Sequence, residues 1–204
     1  MEVIVSRTVD YYLAPHSPWS YLGHSRFTAI ARNAGATVKP MPVDLGQVFP
    51  VSGGLPLAKR APQRQAYRLV ELKRFAEHLG LPIHLEPAFF PVASDAASRL
   101  IITVDQQDGA DAAMAFTGAV MSGVWAEQRN IADPSVLAAM LAALGLPATR
   151  LDDSQAPSVQ AILEANTQRA IDVGVFGAPS YVIDGEMFWG QDRLDFVQRR
   201  LAAA

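Results

Sequence analysis

Cysteine is absent from the 204 residues of this sequence. Its absence excludes structural disulfides, thiolate metal sites and a cysteine nucleophile. Any sulfur chemistry therefore needs a thiol that another molecule supplies. A chain of this length needs no disulfide or metal for stability, because it can bury a sizeable apolar core.

Excess positive charge and a long apolar run are also missing. Lys and Arg total 17 against 20 Asp and Glu, a formal net charge of -3, which gives no general reason to bind nucleic acid or an anionic membrane. The N-terminal sequence MEVIVSRTVDYYL has no basic segment leading into a long apolar stretch. We therefore expect no signal peptide, no transmembrane span and a cytoplasmic location.

The first third of the chain has the pattern of a strand, a helix and a second strand. β-branched and aromatic residues at 8–13 indicate a strand. A helix is expected from Pro18 to about Asn33, with Ser17 as its N-cap. The second strand candidate is ATVKPMPVDL, residues 36–45, whose prolines favour an edge position. The Pro- and Gly-rich residues 45–63 then predict a long loop.

Helices dominate the middle of the sequence, and a hairpin and a helix end it. Apolar residues at spacings of three and four predict helices at 64–79, 96–107, 110–127, 134–144 and 158–173. The segment SYVIDGEMFWG predicts a β-hairpin that turns at Asp184-Gly185. A last helix is expected from Asp192 to Leu201. These elements indicate a mixed α/β protein with a helical insertion.

Two motifs sharpen this prediction. Ser17-Pro18-Trp19-Ser20 lies at the first strand-to-helix junction, and Gly177-Ala178-Pro179-Ser180 precedes the hairpin. With the segments DYYLAPHSPWSYLG, AFFPV and GVFGAPSYVIDGEMFWGQDRL, the chain resembles the 2-hydroxychromene-2-carboxylate isomerases and the related kappa-class glutathione transferases. The resemblance implies a thioredoxin-like (DsbA-like) domain, residues 1–58 and 155–204, with an inserted α-helical domain at 59–154.

Ser17 is the candidate catalytic residue. A hydroxyl at a helix N-terminus lies beside unpaired N–H donors and the positive end of the helix dipole, an environment that suits an anion such as a thiolate. Since the chain has no cysteine, a bound glutathione would supply the sulfur. The Ser17 hydroxyl would then donate a hydrogen bond to the thiolate and lower the thiol pKa. The simpler alternative is that Ser17 only caps the helix.

The resemblance implies further glutathione contacts near the C-terminus. A cis peptide bond before Pro179 would expose the backbone of Ala178 to the cysteinyl part of the tripeptide, as an added strand. The backbone N–H groups around Gln191 and the carboxylate of Asp192 would bind the γ-glutamyl end. The alternatives are an ordinary trans turn proline and an Asp192 that caps the last helix.

Two positions depart from the family pattern. Gly54 and Arg64 stand where the family has an asparagine and a lysine that contact glutathione or substrate. Arg64 keeps the positive charge and is our candidate for binding a substrate carboxylate. Trp19 and Phe49 are candidates for the walls of an apolar substrate pocket, although large aromatic residues are more often core. The four histidines have no evident catalytic partners.

The resemblance implies a glutathione-dependent isomerase for a small aromatic substrate, acting by reversible thiolate addition, and a homodimer. One alternative is a kappa-like transferase, which releases the conjugate. Another is a module that binds glutathione or a client protein without turnover. A dithiol oxidoreductase is excluded because Ser17 and Ser20 occupy both positions of its cysteine pair.

Overall fold

A four-stranded mixed sheet lies at the centre of the fold. The computed structural model describes residues 7–203. The strands run in the order β2-β1-β3-β4, and they are β1 (Thr8–Leu13), β2 (Thr37–Pro42), β3 (Ser180–Ile183) and β4 (Glu186–Trp189). β1 pairs parallel with β2 and antiparallel with β3, and β3 pairs antiparallel with β4. Residues 1–6 lie outside the described residues. They are part of the N-terminal segment in which we expect no signal peptide.

Nine helices accompany the strands in the described residues: one joins β1 to β2, seven lie between β2 and β3, and one follows β4. They are α1 (Pro18–Asn33), α2 (Leu45–Ser52), α3 (Pro62–Leu79), α4 (Asp95–Asp108), α5 (Ala110–Trp125), α6 (Pro134–Ala143), α7 (Arg150–Asp153), α8 (Pro157–Asp172) and α9 (Leu194–Ala202). The order of elements confirms the prediction of a β-α-β start, a helical middle and a hairpin-helix end. The described part of the chain contains no helix long and apolar enough to cross a bilayer.

Local signals define the elements that were predicted most accurately. The helix α1 has the predicted bounds, with Pro18 in its first turn and Ser17 as its cap. In the β3–β4 hairpin, Asp184 and Gly185 have φ angles of 51° and 82°. These positive angles are those that a tight two-residue turn needs, and Asp and Gly are the residues that adopt them most readily. The predicted edge position of β2 is also confirmed.

The prediction of a loop over residues 45–63 is wrong for its first half, which forms α2. The Asp44 carboxylate caps this helix by accepting the Gly46 N–H at 2.7 Å, and Val48 is buried on the inner side. Pro50 lies inside the helix. Proline has no backbone N–H, so Pro50 removes one intrahelical hydrogen bond.

Two helix starts differ from the prediction by two residues. The helix α3 begins at Pro62 rather than Arg64, since a proline in the first turn loses no intrahelical bond. The last helix, α9, begins at Leu194 rather than Asp192. The residues Gln191–Arg193 form a 3-10 turn before it. The short helix α7 and a 3-10 turn at Leu57–Lys59 have no counterpart in the prediction.

The core is continuous between the sheet and the central helices. The rings of Tyr11 in β1, Phe27 in α1 and Tyr181 in β3 form one cluster, with centroids 4.5 to 5.3 Å apart. The fully buried Phe116 and Trp125 extend the core into α5. This packing holds α1 firmly against the sheet, which fixes the direction of its N-terminus.

Candidate active site

Ser17 lies at the turn between β1 and α1. Its backbone N–H donates to the Ala14 carbonyl at 2.9 Å, and its Oγ accepts the Ser20 N–H at 3.2 Å, which confirms the predicted N-cap. The side chain of Ser17 is buried. The hydroxyl is therefore held at the positive end of a sixteen-residue helix, where a negative charge is stabilised.

The segment before β3 lies directly against this turn. The Ala178-Pro179 peptide bond is cis, as predicted. The Ser17 hydroxyl donates to the Ala178 carbonyl at 3.5 Å, the upper limit of a hydrogen bond. The structure thus brings together Ser17 and the Ala178-Pro179 pair, which are far apart in sequence.

Exposed aromatic rings border the same loop. Trp189 at the end of β4 packs on Phe176, with ring centroids 4.8 Å apart. A Cβ atom added to Gly177 would lie 2.6 Å from Trp189 Nε1, so only glycine fits under this ring. Trp189 is not among the predicted pocket residues, and nothing in its local sequence pattern singles it out.

Gln191 and Asp192 lie in the 3-10 turn that follows β4. This turn is attached to the cis-proline loop, because the Gly190 N–H donates to the Pro179 carbonyl at 2.9 Å. Gln191 is buried, and Arg26 of α1 donates to its side-chain oxygen at 2.9 Å. Asp192 is exposed and its carboxylate binds Arg193 at 2.6 Å, so it does not cap α9.

A cavity of about 510 Å³ opens beside the Ser17 turn, between α2, the start of α4 and α8. Phe49 lines it, as predicted for a pocket wall, and so does His16, the neighbour of Ser17. His16 Nδ1 is hydrogen-bonded to Ser94 Oγ at 2.8 Å. Burial lowers the pKa of His16 despite the nearby Asp44 carboxylate. The ring at this end of the cavity is therefore neutral near pH 7.

The other two predicted substrate residues lie outside the set that lines this cavity. Trp19 is half-buried and packs edge-on against Phe75 of α3, with ring centroids 6.1 Å apart. Arg64 is exposed near the start of α3. The next arginine along α3, Arg68, instead reaches an aromatic ring of the cavity wall, that of Phe90.

Sequence reasoning missed Arg68. Arg64 and Arg68 are four residues apart, which places them along one side of α3, and this spacing was the available signal. Across residues 7–203, no three His, Asp or Glu side chains are grouped so that they could hold a metal ion.

Comparison with known proteins gives consistent matches over nearly the whole chain. The profile described as DSBA-like thioredoxin domain matches residues 8–202. A 2-hydroxychromene-2-carboxylate isomerase of Sphingobium xenophagum is 29% identical over 199 residues, covering 97% of this chain and 99% of that protein. A protein of the same name from Pseudomonas putida is 30% identical over 191 residues, covering 91% of this chain and 90% of that protein.

Two further similarities agree with these. The human protein named glutathione S-transferase kappa 1 is 26% identical over 207 residues, covering 96% of this chain and 91% of that protein. A solved structure of a 2-hydroxychromene-2-carboxylate isomerase superposes with a TM-score of 0.81 at 27% identity, covering 96% of this chain and 94% of the other.

Proposed function

Because the chain belongs to the 2-hydroxychromene-2-carboxylate isomerase family of DSBA-like thioredoxin domains, we propose that it is a glutathione-dependent isomerase. The family and the fold are those that the motifs predict, so both predictions are confirmed. The proposed reaction converts 2-hydroxychromene-2-carboxylate, or a related aromatic carboxylate, to the trans-o-hydroxybenzylidenepyruvate form.

One observation carries this proposal. In a chain without cysteine, a buried serine hydroxyl lies at a helix N-terminus and within 3.5 Å of the Ala178 carbonyl, beside the cis Ala178-Pro179 bond. A thiolate is stabilised by such a donor and by the helix dipole, and a peptide backbone can pair with such a loop. These residues fit a thiol-containing tripeptide better than they fit a serine nucleophile, because no base contacts Ser17 within the described residues.

Each residue then has a defined task. When bound, glutathione supplies the thiolate that adds to the substrate and leaves after bond rotation. Ser17 donates its proton in a hydrogen bond to the sulfur and holds the thiol in its ionised form. The backbone of Ala178 binds and orients the cysteinyl unit. The backbone at Gln191 and the exposed carboxylate of Asp192 bind the γ-glutamyl end.

The substrate would occupy the cavity beside Ser17. Phe49 forms part of its wall, and the half-buried Trp19 borders the Ser17 turn from α1. Arg64 contributes positive charge at the start of α3. We further propose that the enzyme is a cytoplasmic homodimer, and analytical ultracentrifugation of the purified protein tests its dimeric state. The exposed apolar side chains of Val51 and Tyr67 offer material for such an interface.

A thiol assay with reduced glutathione tests the proposed reaction. The protein is mixed with 2-hydroxychromene-2-carboxylate, and both product and free thiol are followed. We expect product with the free thiol unconsumed. Consumption of thiol together with an aromatic electrophile would indicate the kappa-like transferase instead. Thermal stabilisation by glutathione without any turnover would indicate a binding module, and the absence of stabilisation at millimolar glutathione would overturn the proposal.

A further inference from the structure

Arg68 is a half-buried cation without an anionic partner. Its guanidinium lies over the ring of Phe90, with 5.4 Å from Cζ to the ring centroid, and over the ring of Trp125, with 5.6 Å. Within residues 7–203, no carboxylate or carbonyl oxygen binds this guanidinium. Several other arginines are paired with a carboxylate, such as Arg150 with Asp108 at 2.8 Å.

An unpaired charge in this position is costly for the folded protein. Burial and the neighbouring Arg60 lower the pKa of Arg68 to about 10, so the side chain is still protonated at neutral pH. Burial and, after it, the charge of Arg64 lower the pKa of Arg60. Three positive charges therefore lie together at the start of α3 without a carboxylate among them. An anion at this place would relieve both the repulsion and the loss of hydration.

Stacking on the rings also prepares Arg68 for binding. A guanidinium that lies over an aromatic face keeps the N–H groups at its edge available, and two of them match the two oxygens of a carboxylate. None of the Arg68 nitrogens is among the fully buried atoms without a partner, so the guanidinium keeps some exposure to solvent.

Arg68 does not itself line the proposed substrate cavity, but its guanidinium lies over the ring of Phe90, a residue that does. The carboxylates that line this cavity have other partners. Asp95 binds Arg99 at 2.9 Å, Glu164 accepts from Gln160 at 2.9 Å, and Asp44 caps α2. Arg68 is thus a cation that contacts a residue of the cavity wall and has no carboxylate partner among residues 7–203.

We propose that Arg68 binds the carboxylate of an anionic aromatic substrate and orients its ring along Phe90. This inference rests on the proposed function and gives the carboxylate a position, one helical turn beyond the exposed Arg64. Arg68 is then a residue that determines specificity for acidic substrates, and Arg60 and Arg64 attract the same charge from outside.

A binding experiment without turnover tests this inference. Coumarin-3-carboxylate and neutral coumarin serve as unreactive probes in calorimetric titrations of the whole protein. We expect the wild type to bind the carboxylate at least about tenfold more tightly than coumarin, as one charge-assisted bidentate contact implies. Arg68→Met, which keeps an apolar stem against Phe90, should abolish that preference, and Arg68→Lys should restore part of it.

Arg74→Met is the matched control, because Arg74 lies on the same helix but is exposed and paired with Glu71 at 2.8 Å. It should bind both probes like the wild type. The inference is overturned if the wild type does not prefer the carboxylate, if Arg68→Met keeps the preference, or if Arg64→Met alone removes it. Since no glutathione is present, these outcomes are separate from a failure of the proposed isomerase reaction.

Discussion

At the scale of single residues, Ser17 combines a structural and a chemical task in one oxygen atom. Its Oγ accepts the Ser20 N–H and so caps α1, while its own proton has only a weak acceptor, the Ala178 carbonyl at 3.5 Å. The lone pairs stabilise the helix, and the proton is available for a thiolate. A thiolate is a far stronger acceptor than this distant carbonyl, so the proton would turn to the sulfur.

Ser17→Ala should therefore raise the pKa of the enzyme-bound glutathione thiol. A hydrogen bond to a charged acceptor contributes about 1.5–3 kcal/mol, which corresponds to about 1–2 pH units. Turnover near neutral pH should fall about 10- to 100-fold in parallel. The ultraviolet absorbance of the bound thiolate, titrated against pH, measures the pKa directly. The lost cap lowers the free energy of unfolding by about 1 kcal/mol, which thermal melting monitors.

Ser20→Ala is the control for this substitution. Ser20 Oγ is buried and has no hydrogen-bond partner within the described residues, and the backbone N–H that bonds to Ser17 is kept. This variant should keep the wild-type thiol pKa. If Ser17→Ala also left that pKa unchanged, Ser17 would be only a helix cap.

At the scale of elements, those defined by local sequence signals could be predicted, and those that depend on tertiary contacts could not. The bounds of α1 and the β3–β4 turn follow from Ser17, Pro18 and the Asp184-Gly185 pair, whose preferences act within a few residues. The helix α2 does not have this support, because its composition is that of a loop. It depends on burial of Val48 and on a hydrogen bond from the Asp44 N–H to the Thr167 hydroxyl of α8, at 3.0 Å.

Asp44→Ala should loosen α2 more than the rest of the protein. The substitution removes the cap at Gly46 and a second bond from Gln47 Nε2 at 3.0 Å. An eight-residue helix is marginal alone, so a loss of about 1 kcal/mol should increase its opening about fivefold. Hydrogen exchange of the amides in residues 45–52 measures this opening. Because α2 carries Phe49, substrate KM should rise while glutathione affinity stays unchanged.

Asp133→Ala provides the comparison for Asp44→Ala. Asp133 caps α6 with the same geometry, accepting the Ser135 N–H at 2.8 Å, and it does not line the cavity. Its replacement should cost a similar free energy of unfolding and leave exchange in α2 as in the wild type. Equal exchange in α2 for both variants would contradict a local role for Asp44.

At the scale of the whole molecule, the site is assembled from segments that are far apart in sequence. His16 and Ser94 form a hydrogen bond across 78 positions, and Arg68 of α3 lies over Trp125 of α5. The motifs predicted Ser17 and Pro179, because their roles belong to short sequence signatures. The cavity and Arg68 could not be predicted in the same way, since they exist only after the helices have packed against the sheet.

Burial of His24 makes the stability of this packing depend on pH. It is buried between three elements: its Nε2 donates to the Met114 carbonyl of α5 at 2.9 Å, and its Nδ1 lies 3.4 Å from the Tyr11 hydroxyl of β1. Burial lowers the pKa of His24 to about 4. An unfolded histidine has a pKa of about 6.5, so between these values the unfolded chain takes up a proton that the folded protein does not.

The free energy of unfolding should therefore fall as the pH drops from about 6.5 to about 4, with a contribution of about 3 kcal/mol from His24. Urea unfolding across this range measures the fall. His24→Gln should be less stable than the wild type at neutral pH and should lose this part of the pH dependence. His78→Gln, which changes an exposed histidine of α3, should keep the wild-type dependence. An identical slope in His24→Gln and the wild type would show that the buried imidazole does not couple α1, α5 and β1 to pH.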